Sequence, residues 1–190
     1  MATIPAQRTW ATGDTVTAVA FNGVLRDAQQ FLLNRPRVLV YDTVGVSLDT
    51  SSGEVLLTWN SESFDTDGMH SPSVSPERIT FTTSGVYEVI LHIDWQPLND
   101  SNAATRFATV QKNHGTSVTM GTADELGSDA LNVAPSDTIA PQVNHIYLQH
   151  FFTAGDYVTA VVRNRSGTSL NVNNGNDTQT FFAARWLGTQ

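Results

Sequence analysis

The side chains best able to do chemistry are scattered along this chain. There are five histidines: His70, His92, His114, His145 and His150. None stands four residues from another, the spacing by which a helix offers two imidazoles to a metal. His92 falls on the strand face opposite Tyr87 and Leu91, and His145 and His150 occupy opposite faces of one strand. Local sequence therefore builds no histidine metal site. The acidic side chains come closer to a site. Asp65-Thr66-Asp67-Gly68 sets two carboxylates two residues apart before a glycine, and Asp124, Glu125 and Asp129 form a second acidic stretch. These are the oxygen donors a hard cation takes, but no Glu follows Asp65 at the place an EF-hand requires. No cofactor is expected, with calcium at these loops the alternative to plain solvation. Glu54, Glu62, Glu88 and Asp94 could face each other as glycosidase carboxylates do, yet nothing selects a pair. No phosphate-cradling glycine loop, His-Glu-x-x-His or Gly-x-Ser-x-Gly occurs. The chain is not expected to be an enzyme.

The elements that must position these residues are strands. Residues 150–187 hold three runs rich in Val, Thr and aromatics, Tyr157–Val162, Ser169–Val172 and Thr180–Trp186, divided by Gly, Asn and Ser. Upstream, the two-residue period predicts strands at 37–41, 45–48, 53–59, 78–81, 86–95 and 143–152. A hairpin is expected from 105–112 and 117–120 around Asn113-His114-Gly115, where Asn, His and Gly suit left-handed positions. Residues 60–75, 97–103 and 121–141 read as loops. Nine or ten short strands without an internal repeat make an all-β sandwich or jelly roll. Cysteine is absent, so packing or oligomerisation must hold the fold together.

Residues 1–37 follow a different rule. Thr3–Trp10 is extended, Gly13-Asp14 turns it, and Thr15 or Thr17 caps a helix running to about Asn34. Phe21, Val24, Leu25, Ala28, Phe31 and Leu32 fall on one stripe at helical spacing, and Pro36 stops the helix. So short a helix must dock on something: its own domain, sister helices or another protein. This leader carries a net charge of +2 and residues 38–190 carry −10. An acidic body argues against nucleic acid as a partner. No secretory segment or transmembrane stretch is present, so no membrane role is expected.

Three motifs carry a resemblance. Ile79-Thr-Phe-Thr-Thr-Ser-Gly-Val-Tyr-Glu-Val resembles the Phe…Gly-Val-Tyr hairpin of the C1q/TNF-like jelly-roll superfamily. Phe152-Thr-Ala-Gly-Asp-Tyr-Val resembles its Gly-Asp-x-Val step, and Phe181-Phe-Ala-Ala-Arg-Trp-Leu-Gly resembles its closing strand. The leader, Arg8-Thr-Trp-Ala-Thr-Gly-Asp-Thr-Val-Thr-Ala through Asn22 and Arg26-Asp27, resembles the start of many tailed-bacteriophage virion proteins. The shaft of a long fibre is missing.

The resemblance implies a C1q/TNF-like jelly-roll body (38–190) behind a virion-attachment arm and helix (1–37). It also implies a homotrimer packed through aromatic faces, drawing on Tyr87, Trp95, Phe107, Tyr147, Phe151, Tyr157, Phe181 and Trp186. The expected role is a capsid decoration protein on the head surface, assembled in the host cytoplasm, with the major capsid protein as partner. The alternative is a minor tail or fibre protein whose sandwich binds a host surface glycan, with Phe64 and Trp95 as exposed-aromatic candidates. Ile4, Trp10, Phe21, Leu25, Ala28 and Leu32 are the expected attachment and oligomer-interface residues.

Overall fold

The computed structural model describes residues 2–5, 8–49, 53–97, 104–116, 118–133, 142–173 and 179–190. One helix, α1 (Ala18–Leu33), precedes twelve strands: β1 (Arg37–Tyr41), β2 (Val46–Leu48), β3 (Glu54–Leu56), β4 (Ser61–Asp65), β5 (Arg78–Thr80), β6 (Gly85–Trp95), β7 (Ala104–Lys112), β8 (Glu125–Val133), β9 (Gln142–Phe152), β10 (Tyr157–Asn164), β11 (Leu170–Val172) and β12 (Phe181–Gly188). The strands form two antiparallel sheets. In the first, β9 pairs with β6, β6 with β12, β12 with β1 and β1 with β4, while β11 and β2 extend the far end of β6. The second runs β3-β10-β7-β8, and β5 shares the β3 edge of β10.

Alternation in β6 sends Tyr87, Val89, Leu91, Ile93 and Trp95 into the core, fully buried against Val158, Ala160 and Val162 of β10. Two of the sequence motifs meet at one end of this core. Phe81 stacks on Phe152 with ring centroids 3.8 Å apart, and Tyr87 packs on both rings. The Tyr87 hydroxyl donates to Thr83 O at 2.7 Å, while Gly155 N donates to Phe81 O at 2.8 Å. Gly155 takes φ 97°, and the Asp156 carboxylate closes the turn by accepting from Thr153 N at 2.8 Å. Both motifs are therefore packing devices: rings fill the core end and a glycine turn lets one strand cap the other.

The helix begins where a cap was expected. Thr17 Oγ1 accepts from Ala20 N at 3.2 Å, and Asn34 ends it. Three expectations change. Residues 118–120 form no strand; β7 pairs instead with β8, which lies within the stretch expected as a loop. β8 is an edge strand with few apolar side chains, and its Gly127 lies against Ile146 and Leu148, so a two-residue hydrophobic period is missing there. β4 likewise occupies part of the expected 60–75 loop, and the 53–59 strand shortens to β3. The expected loops at 98–103 and 134–141 lie outside the described residues, as does Ser117. Asn113 and Gly115 adopt left-handed φ, 53° and 69°, while His114 between them does not.

Candidate functional site

Two surfaces stand out, one on the leader and one on the first sheet. The leader touches the body at both ends. Near its start, Ala2 N donates to Asp67 Oδ1 and Ala2 O accepts from the Thr83 hydroxyl at 3.0 Å. Near its end, the edge of the Phe31 ring meets the Trp186 indole, centroids 5.0 Å apart. The Trp186 Nε1–H donates to Ser84 O, and its backbone N–H donates to the carbonyl of buried Pro36.

Between these contacts the helix buries no residue. Its apolar stripe divides. Val24 and Phe31 turn toward a groove of about 810 Å³ that is closed on the other side by Ile4, Pro5 and Asp67. Phe21, Leu25 and Leu32 form a second row, 51%, 46% and 56% exposed, with half-buried Ala28 between them. Residues four and seven apart on a helix lie on one line, so this row is continuous. Trp10 is half-buried beneath the Arg8 guanidinium, 4.1 Å from the ring centroid. The six expected attachment residues therefore fall into three places: Ile4 on the groove, Trp10 under Arg8, and Phe21, Leu25, Ala28 and Leu32 along the exposed side of α1.

The outward face of the first sheet carries three rows of side chains across four strands. Arg37, Arg185, Glu88 and Gln149 form one row. Leu39, Ala183, Ile90 and Tyr147 form the next, and Tyr41, Phe181, His92 and His145 the third. An outward antiparallel face is ordinarily polar, and here its middle row is apolar, with Tyr147 55% exposed. The polar row is tightly ordered. Arg185 Nε and Nη2 lie 2.6 and 3.1 Å from the two Glu88 oxygens, and the Tyr147 hydroxyl donates to Glu88 Oε2 at 2.6 Å. Burial pushes the Glu88 carboxyl up, but the Tyr147 and Arg185 bonds outweigh it and hold it below its ordinary value.

The structure sorts the aromatics expected at a subunit interface. Tyr87 and Trp95 are fully buried and Trp186 nearly so, so all three serve the core. Tyr147, Phe151 and Phe181 lie on the outward sheet face. Trp95 is thereby corrected as a surface sugar platform: its indole donates to Asn144 Oδ1 at 2.7 Å inside the sandwich. Phe64 remains partly exposed, with Arg37 5.0 Å from its ring centroid.

The acidic loops are occupied by their own chain. Asp65 accepts from Asp67 N and His70 N, at 3.0 and 2.9 Å. Asp67 accepts from Ala2 N and the hydroxyls of Thr82 and Thr83. Asp124, Glu125 and Asp129 bind His114, Gly121 N and Asn144 respectively. These carboxylates brace turns and strand ends. Among the described residues no group of three or more His, Asp or Glu is arranged to hold a metal.

One pair escaped the sequence reading. His92 and His145 are 53 positions apart, yet β6 and β9 place them directly opposite one another, ring centroids 5.7 Å apart. His92 also stacks on Phe181 at 5.1 Å. Only the strand register brings them together, so no local spacing could have signalled the pair.

The sequence matches no protein-family model and no curated protein. The fold does have counterparts among solved structures. Eiger TNF from S. frugiperda aligns with a TM-score of 0.55 at 16% identity, over 82% of this chain and 96% of that one. Murine APRIL aligns with a TM-score of 0.53 at 12% identity, over 80% and 99%. The globular domain of zebrafish complement 1qA gives 0.50 at 12% identity, over 82% and 100%. At such identities the likeness concerns architecture alone, and on that ground the body of this chain is an all-β jelly-roll sandwich of the C1q/TNF-like fold, preceded by an arm and a helix.

Proposed function

We propose that this protein is a structural component of a tailed-bacteriophage virion, a trimeric decoration of the head surface held by its N-terminal arm and helix. The observation that carries the reading is the exposed row Phe21, Leu25 and Leu32 on a helix that fully buries none of its residues and meets the core through Phe31. A short helix with an apolar row open to water is poorly stabilised by its own chain and gains from a partner surface. The phage-like leader sequence names the class of partner, a capsid or tail protein of the same particle. The charge contrast between a basic leader and an acidic body fits a division between an attached and a displayed part.

Trimerisation is supported by the outward face of the first sheet. Its Leu39–Ala183–Ile90–Tyr147 row supplies an apolar centre, and the Glu88–Arg185 pair supplies a polar rim. A closed three-fold ring would cover this face on every copy and leave none open for further growth. Phe64, partly exposed beneath Arg37, favours a second reading, in which the protein sits on a tail and stacks a host glycan on that ring.

Mass spectrometry of purified virions tests the main proposal: the protein is expected in mature particles, and its absence would sink the idea. Sedimentation of the recombinant chain tests the trimer, which a monomer at micromolar concentration refutes. Saturable binding to host cells, competed by glycan and lost in Phe64→Ala, would select the tail reading.

A further inference from the structure

We propose that His92 and His145 form a two-imidazole clamp for a borderline divalent transition metal such as Zn²⁺, Ni²⁺ or Cu²⁺ on the outward face of the first sheet. The two residues are direct cross-strand partners in the β6–β9 ladder, so the backbone fixes both anchor points. Their ring centroids lie 5.7 Å apart. A metal about 2.0–2.1 Å from a ring nitrogen sits about 3.2 Å from that ring's centroid. Two centroids at the observed separation then subtend about 125° at the metal, between tetrahedral and linear and nearer the former. The rings stand at 67° to one another, so rotation about the outer side-chain torsions is what brings both nitrogens to one ion.

The surroundings favour ligation. Among the described residues neither imidazole is hydrogen-bonded, whereas His70 binds Glu62 and His114 binds Asp124. Asp94 stands two residues along the same strand and face, and its Oδ1 is buried with no hydrogen-bond partner among the described residues. Its charge draws a cation toward the pair. Phe181 stacks on His92 and limits the ring's freedom, which reduces the ordering cost of binding. Imidazole ligands select Zn²⁺, Ni²⁺ and Cu²⁺ over Mg²⁺ or Ca²⁺. The clamp draws both imidazoles from one chain, in the row beside the apolar row that the proposed trimer would cover, so metal uptake and oligomeric state are read separately.

The test is titration of the intact chain with ZnCl₂ and NiCl₂ by calorimetry at neutral pH, with Cu²⁺ electron paramagnetic resonance to count bound nitrogens. One metal per chain and two coordinated nitrogens are expected. His92→Gln and His145→Gln should each weaken binding about tenfold or more, because the second imidazole acts at the high effective concentration set by the sheet. His70→Gln and His114→Gln should leave affinity unchanged. Circular dichroism and urea unfolding establish that each variant is folded; if His92→Gln is not, the more exposed His145→Gln decides alone. The proposal is overturned by no uptake at millimolar metal, by a single coordinated nitrogen, or by unchanged affinity in a folded His145→Gln chain.

Discussion

Replacing Gly85 by alanine should destabilise the body and loosen the helix in one step. A Cβ at this position would lie 2.0 Å from Trp186 Nε1 and 2.7 Å from both Trp186 Cδ1 and Gly188 O. With φ at 156° the backbone also lies where L side chains are rarely found, so torsional strain adds to the collision. The indole must move by more than 1 Å, roughly the shortfall from an ordinary van der Waals contact. Overpacking of this kind costs about 1–3 kcal/mol. The displaced indole also gives up its bond to Ser84 O and its edge contact with Phe31. These add about 1 kcal/mol and about 0.5–1.5 kcal/mol. The sum is about 2.5–5.5 kcal/mol, or a fall in Tm on the order of 10 °C for a protein of this size. Urea unfolding followed by tryptophan fluorescence measures it. Because Phe31 seats the helix on Trp186, protease sensitivity near Asn34–Pro36 should rise in parallel. A double-mutant cycle with Trp186→Leu isolates the indole's share: the coupling should be at least about 1 kcal/mol in the compensating direction. A Gly85→Ala stability within 0.5 kcal/mol of wild type, or no coupling, would refute the reasoning.

Three further outcomes are expected. Arg106 is fully buried over Trp95, its guanidinium has no hydrogen-bond partner among the described residues, and burial pulls its pKa down to about 10, so Arg106→Met should raise stability by about 1–4 kcal/mol in urea unfolding; a loss of stability would show that its charge is compensated. The Asp156 carboxyl is raised by burial but held below its ordinary value by stronger bonds from Asn113, Thr153 N and Lys112. Its contribution is therefore present above the unfolded pKa and lost as pH falls through the folded one. Asp156→Asn should cost about 1.5–3 kcal/mol at neutral pH and flatten the stability profile below about pH 4, read from urea midpoints across pH. Phe21→Asp with Leu25→Asp should leave the unfolding midpoint within about 0.5 kcal/mol, since both side chains are exposed, while abolishing incorporation into particles; incorporation at full occupancy would remove the row from the attachment surface.

The sequence by itself determined what depends on neighbours a few residues apart. The change from a 3.6-residue to a 2-residue period near Arg37 separates helix from sheet, because the backbone repeats locally. Thr17 sets the helix start, and Asn113 and Gly115 mark a turn. The Phe81…Gly85-Val86-Tyr87 and Phe152…Gly155-Asp156 motifs were legible because each combines a turn residue with rings at fixed offsets. The edge strand β8 was not, since half its side chains face water and impose no pattern.

Only the tertiary structure decided which side of an element meets what. It divided the helix stripe between a groove and open water, because the docking angle is set by Phe31 on Trp186. It sent Tyr87, Trp95 and Trp186 inward and Tyr147, Phe151 and Phe181 outward, a choice made by strand register and not by residue type. It spent Asp65 and Asp67 on their own backbone and on Thr82 and Thr83, which a count of carboxylates could not foresee. It also set His92 beside His145, since the pairing of two strands brings together residues that share no local signal.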